Sequence, residues 1–396
     1  MIKVLDLFSG IGGISRGLEA TGGFETVAFC EIDPFCREVL KKHYPDIPIY
    51  EDIKSLHYDD SFPKIDMVCG GFPCFVRGTL IETSDGFVPI EDVSVGDSVR
   101  THNNRFCEVS SVMNRTSPII EVKVHGSSPI QTTSEHPFLV RKRVDKQPHR
   151  GKTKHLFSDP LWVKASELDK SCYVAMPLDT PKLTSDETLD FWYLVGRYIG
   201  DGWIVNHKRS SKIPQGKRGS RVNSRVWKVI ICTNNEDAQN LKEKITAAGF
   251  HSTSVVERSI TKFHICSKEF VQFLEQFGKY AHGKKIPRFV FEMPKDVQCA
   301  IFRGWIDSDG YEEGDSIKGA TVSKNLAISM ARISRNVFSK YTSISVSKHR
   351  SPTCVIENRV VNHRPLYSVN VFKNSRKICL WESSICWMPV NTVLNC

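Results

Sequence analysis

Two nine-residue segments, 108 positions apart, set the strongest constraint on how this chain can fold. One runs Leu194-Val195-Gly196-Arg197-Tyr198-Ile199-Gly200-Asp201-Gly202, the other Phe302-Arg303-Gly304-Trp305-Ile306-Asp307-Ser308-Asp309-Gly310. Gly196 aligns with Gly304, Gly200 with Ser308 and Asp201 with Asp309. Residues i and i+4 share one helix face, so small residues there let two backbones approach closely. Each segment ends in an acid followed by a glycine stop. Two such helices side by side bring the carboxylates of Asp201 and Asp309 together, where they can hold Mg²⁺ over phosphodiesters. Either segment alone reads equally well as a core helix with an exposed cap. The matched register of the pair carries the argument.

The texture of the chain changes around this pair. Residues 1–73 alternate apolar strand-like runs with helical pattern, as in IKVLDLF, ETVAFCEID and PFCREVLKKHY, which predicts a parallel sheet. Residues 74–180 break into short β-rich pieces separated by turns. Helical stretches return over 186–345, mixed with strands, and residues 352–396 revert to β-like text. An all-β module that resumes after an α+β stretch is one domain nested within another.

Asp6-Leu7-Phe8-Ser9-Gly10-Ile11-Gly12-Gly13 comes after the first strand and opens a helix, where glycines allow a tight turn and close approach of a ligand. The next strand ends at Glu31, placed for a carboxylate to take two ribose hydroxyls. Asp52-Ile53 comes later, and Gly70-Gly71-Phe72-Pro73-Cys74 lies after a third strand. In order and spacing, residues 1–74 resemble the early motifs of cytosine-5 DNA methyltransferases, which use S-adenosylmethionine. The resemblance implies that Phe8, Gly10 and Gly12 line the methionine region, that Glu31 holds the ribose and Asp52 the adenine amino group, and that Ile32 and Ile53 complete the site. It also implies that Cys74 attacks carbon 6 of a flipped-out cytosine. The family pattern departs after Cys74: the expected Gln does not follow it, and a Glu-Asn-Val motif with an Arg-x-Arg motif after it is not found.

In their place the chain continues as Cys74-Phe75-Val76-Arg77-Gly78-Thr79-Leu80-Ile81 and GFVPIEDVSVGDSV, then Thr132-Thr133-Ser134-Glu135-His136-Pro137. These stretches resemble the two amino-terminal blocks of inteins. Self-excision needs a thiol to attack the preceding carbonyl and an acid to protonate the leaving nitrogen. The resemblance gives Cys74 the first role, His136 the second, and Thr133 the orientation of the amide. At the other end, Asn395-Cys396 is a candidate splice junction. However, Leu394 stands where a His is usual, and the preceding Val-Tyr-Asn-x-x-Val block is not found, so truncation is expected there.

The helix pair resembles the double-motif LAGLIDADG homing endonucleases carried within inteins. Within that resemblance His282-Gly283-Lys284-Lys285-Ile286-Pro287 and Thr321-Val322-Ser323-Lys324 match the lysine-bearing blocks. They imply Lys285 and Lys324 as catalytic lysines, with Lys284 an alternative to Lys285, and Asp201 and Asp309 as Mg²⁺ ligands. Charge agrees with a DNA partner. Of the chain's 54 Lys/Arg and 44 Asp/Glu, residues 1–73 hold 7 and 12, leaving 47 and 32 beyond, a net of +15. Basic clusters at 141–154 and 207–228 suit DNA phosphates, although such runs equally serve as solvated surface.

The expected architecture is multi-domain: a partial α/β Rossmann-like methyltransferase fragment, a β-rich Hint splicing module, and an inserted α+β LAGLIDADG endonuclease. Thirteen cysteines without CxxC pairs argue against a disulfide framework and for a reducing, cytoplasmic setting in a prokaryote or phage. No apolar run approaches membrane length, and a monomer bound to double-stranded DNA is expected. Three readings stay open: an intein-bearing methyltransferase precursor, a chain whose working activity is DNA cleavage alone, and a non-catalytic remnant.

Overall fold

The computed structural model describes the chain except for residues 54, 55, 57–61, 71–73, 115, 150, 151, 209–224, 348–352, 357, 358, 374–379, 382–384 and 396. Gly71, Phe72, Pro73, Cys396 and most of the 207–228 basic cluster therefore lie outside the described residues.

The amino-terminal part runs β1 (Ile2–Leu7), α1 (Gly13–Glu19), β2 (Phe24–Cys30), α2 (Pro34–His43), β3 (Ile49–Tyr50) and β4 (Met67–Gly70). The strands form a parallel sheet in the order β3-β2-β1-β4, as the alternation of strand and helix patterns predicts. Val4, Leu5, Ala28 and Phe29 are buried. Helix α2 has Pro34 at its first turn and an Asp33 cap, whose carboxylate accepts from the backbone N–H of Phe35 at 2.9 Å and of Cys36 at 3.3 Å.

The second part is all β. Strands β5 (Leu80–Thr83), β6 (Gly86–Pro89), β7 (Ser98–Arg100) and β8 (Phe106–Glu108) make a sheet ordered β6-β5-β7-β8. A larger sheet takes β9 (Ile120–Val124), β10 (Ile130–Thr132), β11 (Pro137–His149), β12 (Lys152–Phe157), β13 (Leu161–Lys164) and β14 (Cys172–Pro177). Its centre is filled from the far end of the chain.

The third part holds the repeated segments. Its first half is α3 (Leu189–Asp201), β15 (Gly202–Lys208), β16 (Arg225–Asn234), α4 (Ala238–Ala247), β17 (Ser252–Glu257), β18 (Ile260–Ile265) and α5 (Lys268–Glu275). The short α6 (Tyr280–Gly283) leads into the second half: α7 (Lys295–Asp309), β19 (Gly310–Glu313), β20 (Ser316–Thr321), α8 (Lys324–Phe338) and β21 (Tyr341–Ser347). A hairpin of β22 (Thr353–Ile356) and β23 (Arg359–Asn362) precedes β24 (Leu366–Phe372). The sheets are ordered β15-β16-β18-β17 and β19-β20-β24-β21, so the halves repeat one topology.

Strand β24 corrects the expected boundaries of 345 and 352. It pairs with both β20 and β21, occupying in the second sheet the place of β18 in the first. Its text, LYSVNVF, alternates like any half-buried strand, so periodicity could not say which sheet it joins. Among the described residues after β24, β25 (Leu380–Trp381) and β26 (Ile385–Asn395) return to the larger sheet of the β module. There β26 lies between β9 and β14, burying Cys386, Met388 and Val390 against Val122, Val124 and Val174. The nested arrangement results from that one strand.

Helices α3 and α7 cross at their glycines. A Cβ built on Gly304 would lie 2.1 Å from the carbonyl oxygen of Tyr193, and one on Gly196 would lie 2.2 Å from that of Ile301. These neighbours are backbone and cannot rotate away. Gly304→Val should therefore cost about 3 kcal/mol or more, measured as a loss of cooperative unfolding in the insert. The contact also seats Phe302, Trp305, Tyr198 and Leu194 in one core.

The insert is fastened to the β module by buried charge. Glu82 on β5 and Asp179 after β14 face Arg100 on β7 together with Arg288 and Arg332 from the insert. Burial opposes ionisation of Asp179, but Arg332 beside it holds its carboxyl below the usual range. Removing one partner of such a cluster strands the others in a dry interface. Among the described residues no helix is long and apolar enough to cross a membrane.

Candidate functional sites

The first site lies at the carboxyl ends of β1 and β2. Glu31 is buried, and its carboxylate accepts from the backbone N–H of Gly10 at 2.7 Å and of Asp33 at 2.8 Å. These bonds tie the glycine loop to the end of β2 and leave lone pairs on both oxygens. Gly10 has φ +55 and open space where a Cβ would stand, so it forms part of an open cradle. Phe8, Ile32 and Ile53, which follow β1, β2 and β3 in the chain, are exposed apolar side chains. Gly12 has φ +84, and a Cβ there would meet Leu40 Cδ2 at 2.9 Å, so a side chain is also excluded by the packing of α2.

The second site joins Cys74 to the turn after β10. The Cys74 N–H donates to Thr133 Oγ1 at 3.1 Å, and the Cys74 carbonyl accepts from Thr133 N–H at 3.1 Å and from Thr132 Oγ1 at 2.7 Å. His136 N–H donates to the Thr133 carbonyl at 3.2 Å, closing the turn. The His136 ring lies between Phe75, at a centroid distance of 4.0 Å, and Phe138, at 5.7 Å. All three sequence-predicted residues meet here. At the other end, Asn395 and Thr132 both pair with Ile120, so β26 approaches this site across one strand.

Burial pushes the His136 imidazole down from 6.5 to about 4, so it is neutral at pH 7. Between these values the unfolded chain binds a proton that the folded site refuses. Stability is therefore full above pH 6.5 and declines as pH falls toward 4. Melting temperatures of the chain and of a His136→Phe variant should converge at neutral pH, with the variant losing less on acidification.

The third site is formed where α3 and α7 end. A Cβ on Gly200 would lie 2.3 Å from Ser308 Cβ, so the turns bearing Asp201 and Asp309 are in contact. Burial, and after it the charge of Asp201, raises Asp309 to about 7; burial also raises Asp201. Two carboxylates held this way repel each other, and a divalent ion between them would relieve the repulsion. Among the described residues no three His, Cys, Asp or Glu cluster. Mg²⁺ is commonly held by one or two carboxylates with phosphates and water, so two suffice.

The structure separates the three candidate lysines. Lys285 is exposed, whereas Lys284 is buried beneath the acids and donates from Nζ to the carbonyls of Tyr198, at 2.7 Å, and Gly202, at 3.0 Å. Burial lowers Lys284 to about 7, with Asp309 opposing. The alternation of the loop decides this, since Ile286 next along is also buried and turns Lys285 outward. Lys324 does not reach the acids either: its Nζ donates to the Gly78 carbonyl at 2.8 Å, on the β module. Arg197, a cation in the otherwise apolar run FWYLVGRYIG, went unassigned from sequence; it too lies in this site.

The family model for C-5 cytosine-specific DNA methylases matches residues 2–75, and that for the Hint domain matches residues 73–136. The first part of the chain is therefore similar to C-5 cytosine-specific DNA methylases, and the part that follows it to Hint domains. Both matches include Cys74. This methylase portion is similar to the type II methyltransferase M2.BsuMI of Bacillus subtilis, with 45% identity over 18% of this chain and 18% of that protein. It is likewise similar to M.NlaIV of Neisseria lactamica, 42% identical over 18% of each. A longer match, 25% identical over 75% of this chain and 30% of the other, is to the ATP-dependent DNA helicase Hel308 of Thermococcus kodakarensis. The chain thus spans 30% or less of the length of each of these relatives. Among solved structures, the homing endonuclease I-DmoI in complex with DNA and Ca aligns over 46% of this chain and 82% of its own, at 14% identity and TM-score 0.31.

Proposed function

We propose that this chain is an intein-bearing precursor of a cytosine-5 DNA methyltransferase, whose insert is a site-specific homing endonuclease acting on double-stranded DNA. The observation that carries the reading is the double membership of Cys74. It ends the methylase motif Gly70-Gly71-Phe72-Pro73-Cys74 and is hydrogen-bonded to Thr133, in the turn that carries His136. A helicase and an iron–sulfur cluster assembly SufBD family protein of Mycobacterium leprae match 75% and 67% of this chain. Those names share no chemistry with methyl transfer, which supports a module housed in different hosts.

In the methylase part, Glu31 and the Gly10 turn would hold the ribose and backbone of S-adenosylmethionine, with Phe8, Ile32, Asp52 and Ile53 around the base. That cofactor supplies the transferable methyl group. In the Hint part, the Cys74 thiol adds to the Pro73 carbonyl. The S–C bond forms, the C–N bond to Cys74 breaks, and the nitrogen gains the proton. Thr133 fixes the amide through its hydrogen bond with Cys74 N–H, and neutral His136 can take the thiol proton and pass it to that nitrogen. Asn395 and Cys396 would complete the excision. In the insert, Asp201 and Asp309 would hold Mg²⁺, which neutralises charge on the attacked phosphate. Lys284, in place of Lys285, is the lysine beside them; Lys324 is assigned to the contact between modules.

Incubating the purified chain with dithiothreitol tests the reading. A fragment with the mass of residues 1–73 should appear, and no such fragment should form without thiol. Persistence of the intact chain at high thiol would contradict the splicing assignment.

A further inference from the structure

The two acid-bearing helices end in carbonyls that α-helical bonding leaves unpaired. In this fold carbonyls at both helix ends accept from buried cations, and one of these cations crosses from the partner helix. The end of α3 is held by Lys284, on the Tyr198 and Gly202 carbonyls. The end of α7 is held by Arg197, which belongs to α3. Its guanidinium donates through one terminal nitrogen to the Asp307 carbonyl and through the other to the Cys232 carbonyl on β16 at 2.9 Å. Arg197 is 1% exposed, so these bonds form away from water. A third bond supports the same turn: Tyr193 Oη donates to Asp307 Oδ2 at 2.8 Å.

The arrangement is not repeated by symmetry. The position of Arg197 in the second helix is Trp305, which is fully buried against Gly319. Only α3 therefore sends a cation across the helix pair, and it lands two residues before Asp309. A buried guanidinium is a costly core residue unless its geometry is used. A planar fork bridging a helix end and a strand fixes both direction and distance, which a leucine at the same place would not do.

We propose that Arg197 is a positioning residue of the nuclease, locking the last turn of α7 to α3 and β16 so that the Asp309 carboxylate is presented beside Asp201. The proposal rests on the nuclease reading above. It places on α3 both a metal ligand, Asp201, and the group that aims the other ligand.

Calorimetric titration with Ca²⁺ of the full chain, bound to duplex DNA spanning the uninterrupted methylase sequence, tests this together with separate measurement of DNA affinity. Arg197→Met should weaken Ca²⁺ binding at least tenfold and leave DNA affinity within about threefold, whereas Asp309→Asn should mimic its Ca²⁺ defect. Arg197→Lys, which keeps the charge but can reach one carbonyl at a time, should recover part of the loss. It also serves if the methionine variant does not fold. Wild-type Ca²⁺ affinity in Arg197→Met, or in Arg197→Lys where the former is unfolded, would overturn the proposal while leaving the nuclease reading intact. Absence of Ca²⁺ binding by the wild-type complex would overturn both.

Discussion

Cys74→Ala should abolish thiol-dependent release of residues 1–73, whereas the parent chain should cleave within hours. The reaction requires a sulfur that can displace the amide nitrogen, and alanine offers none. The loss is therefore complete, not a slowing. Folding should survive, because Cys74 is held through its backbone: N–H to Thr133 Oγ1 and carbonyl to Thr133 N–H and Thr132 Oγ1. None of these bonds involves the thiol. Variants of the supporting groups should fall between the extremes. His136→Ala removes the group that relays the thiol proton to the leaving nitrogen and should slow release by about 10² or more. Gel densitometry with mass identification of the fragment resolves all three chains.

Asp201→Asn and Asp309→Asn should each lower double-strand cleavage by about 10³ or more, with DNA affinity changed by less than about threefold. The carboxamide keeps the size of the carboxylate, so the Gly200–Ser308 contact that joins the turns remains. What is lost is the negative charge that holds a divalent ion. Several kcal/mol of transition-state stabilisation depend on it, and each 1.36 kcal/mol is a factor of ten in rate. Binding relies instead on phosphate contacts spread over a surface whose net charge beyond residue 73 is +15. The substitution should also relieve repulsion, since Asp201 is one of the groups that raise Asp309 to about 7. A variant that binds well, folds well and does not cut is the expected signature. Supercoiled-plasmid assays separate nicking from linearisation, and fluorescence anisotropy reports binding.

Much of the fold could be read from residue pattern because the decisive features were local. Gly196 and Gly304 recur at one register, and the contact they imply is present down to backbone oxygens. The Thr133–His136 turn likewise sits beside Cys74 because a short loop after a strand has few ways to lie. What pattern could not reach depended on partners distant in sequence. Strand β24 alternates like a strand of either module, and only its pairing with β20 and β21 places it. Lys284 and Lys285 are neighbours of one type, separated only by which way the loop turns over Tyr198. Lys324 is drawn away by the Gly78 carbonyl, a contact across 246 positions. Arg197 looked like an interruption of an apolar helix, because the carbonyls it holds belong to two other elements.

The central claim is that a mobile splicing element interrupts a methylase at Cys74, and one cleavage comparison tests it most directly. The purified chain, with Mg²⁺, is offered two duplexes: the methylase coding sequence joined without interruption across the codon for Cys74, and the interrupted sequence encoding this chain. The account predicts a double-strand break in the uninterrupted duplex near that codon and none in the interrupted one, since the insertion splits the recognition site. Equal cutting of both duplexes, or of neither, would contradict it.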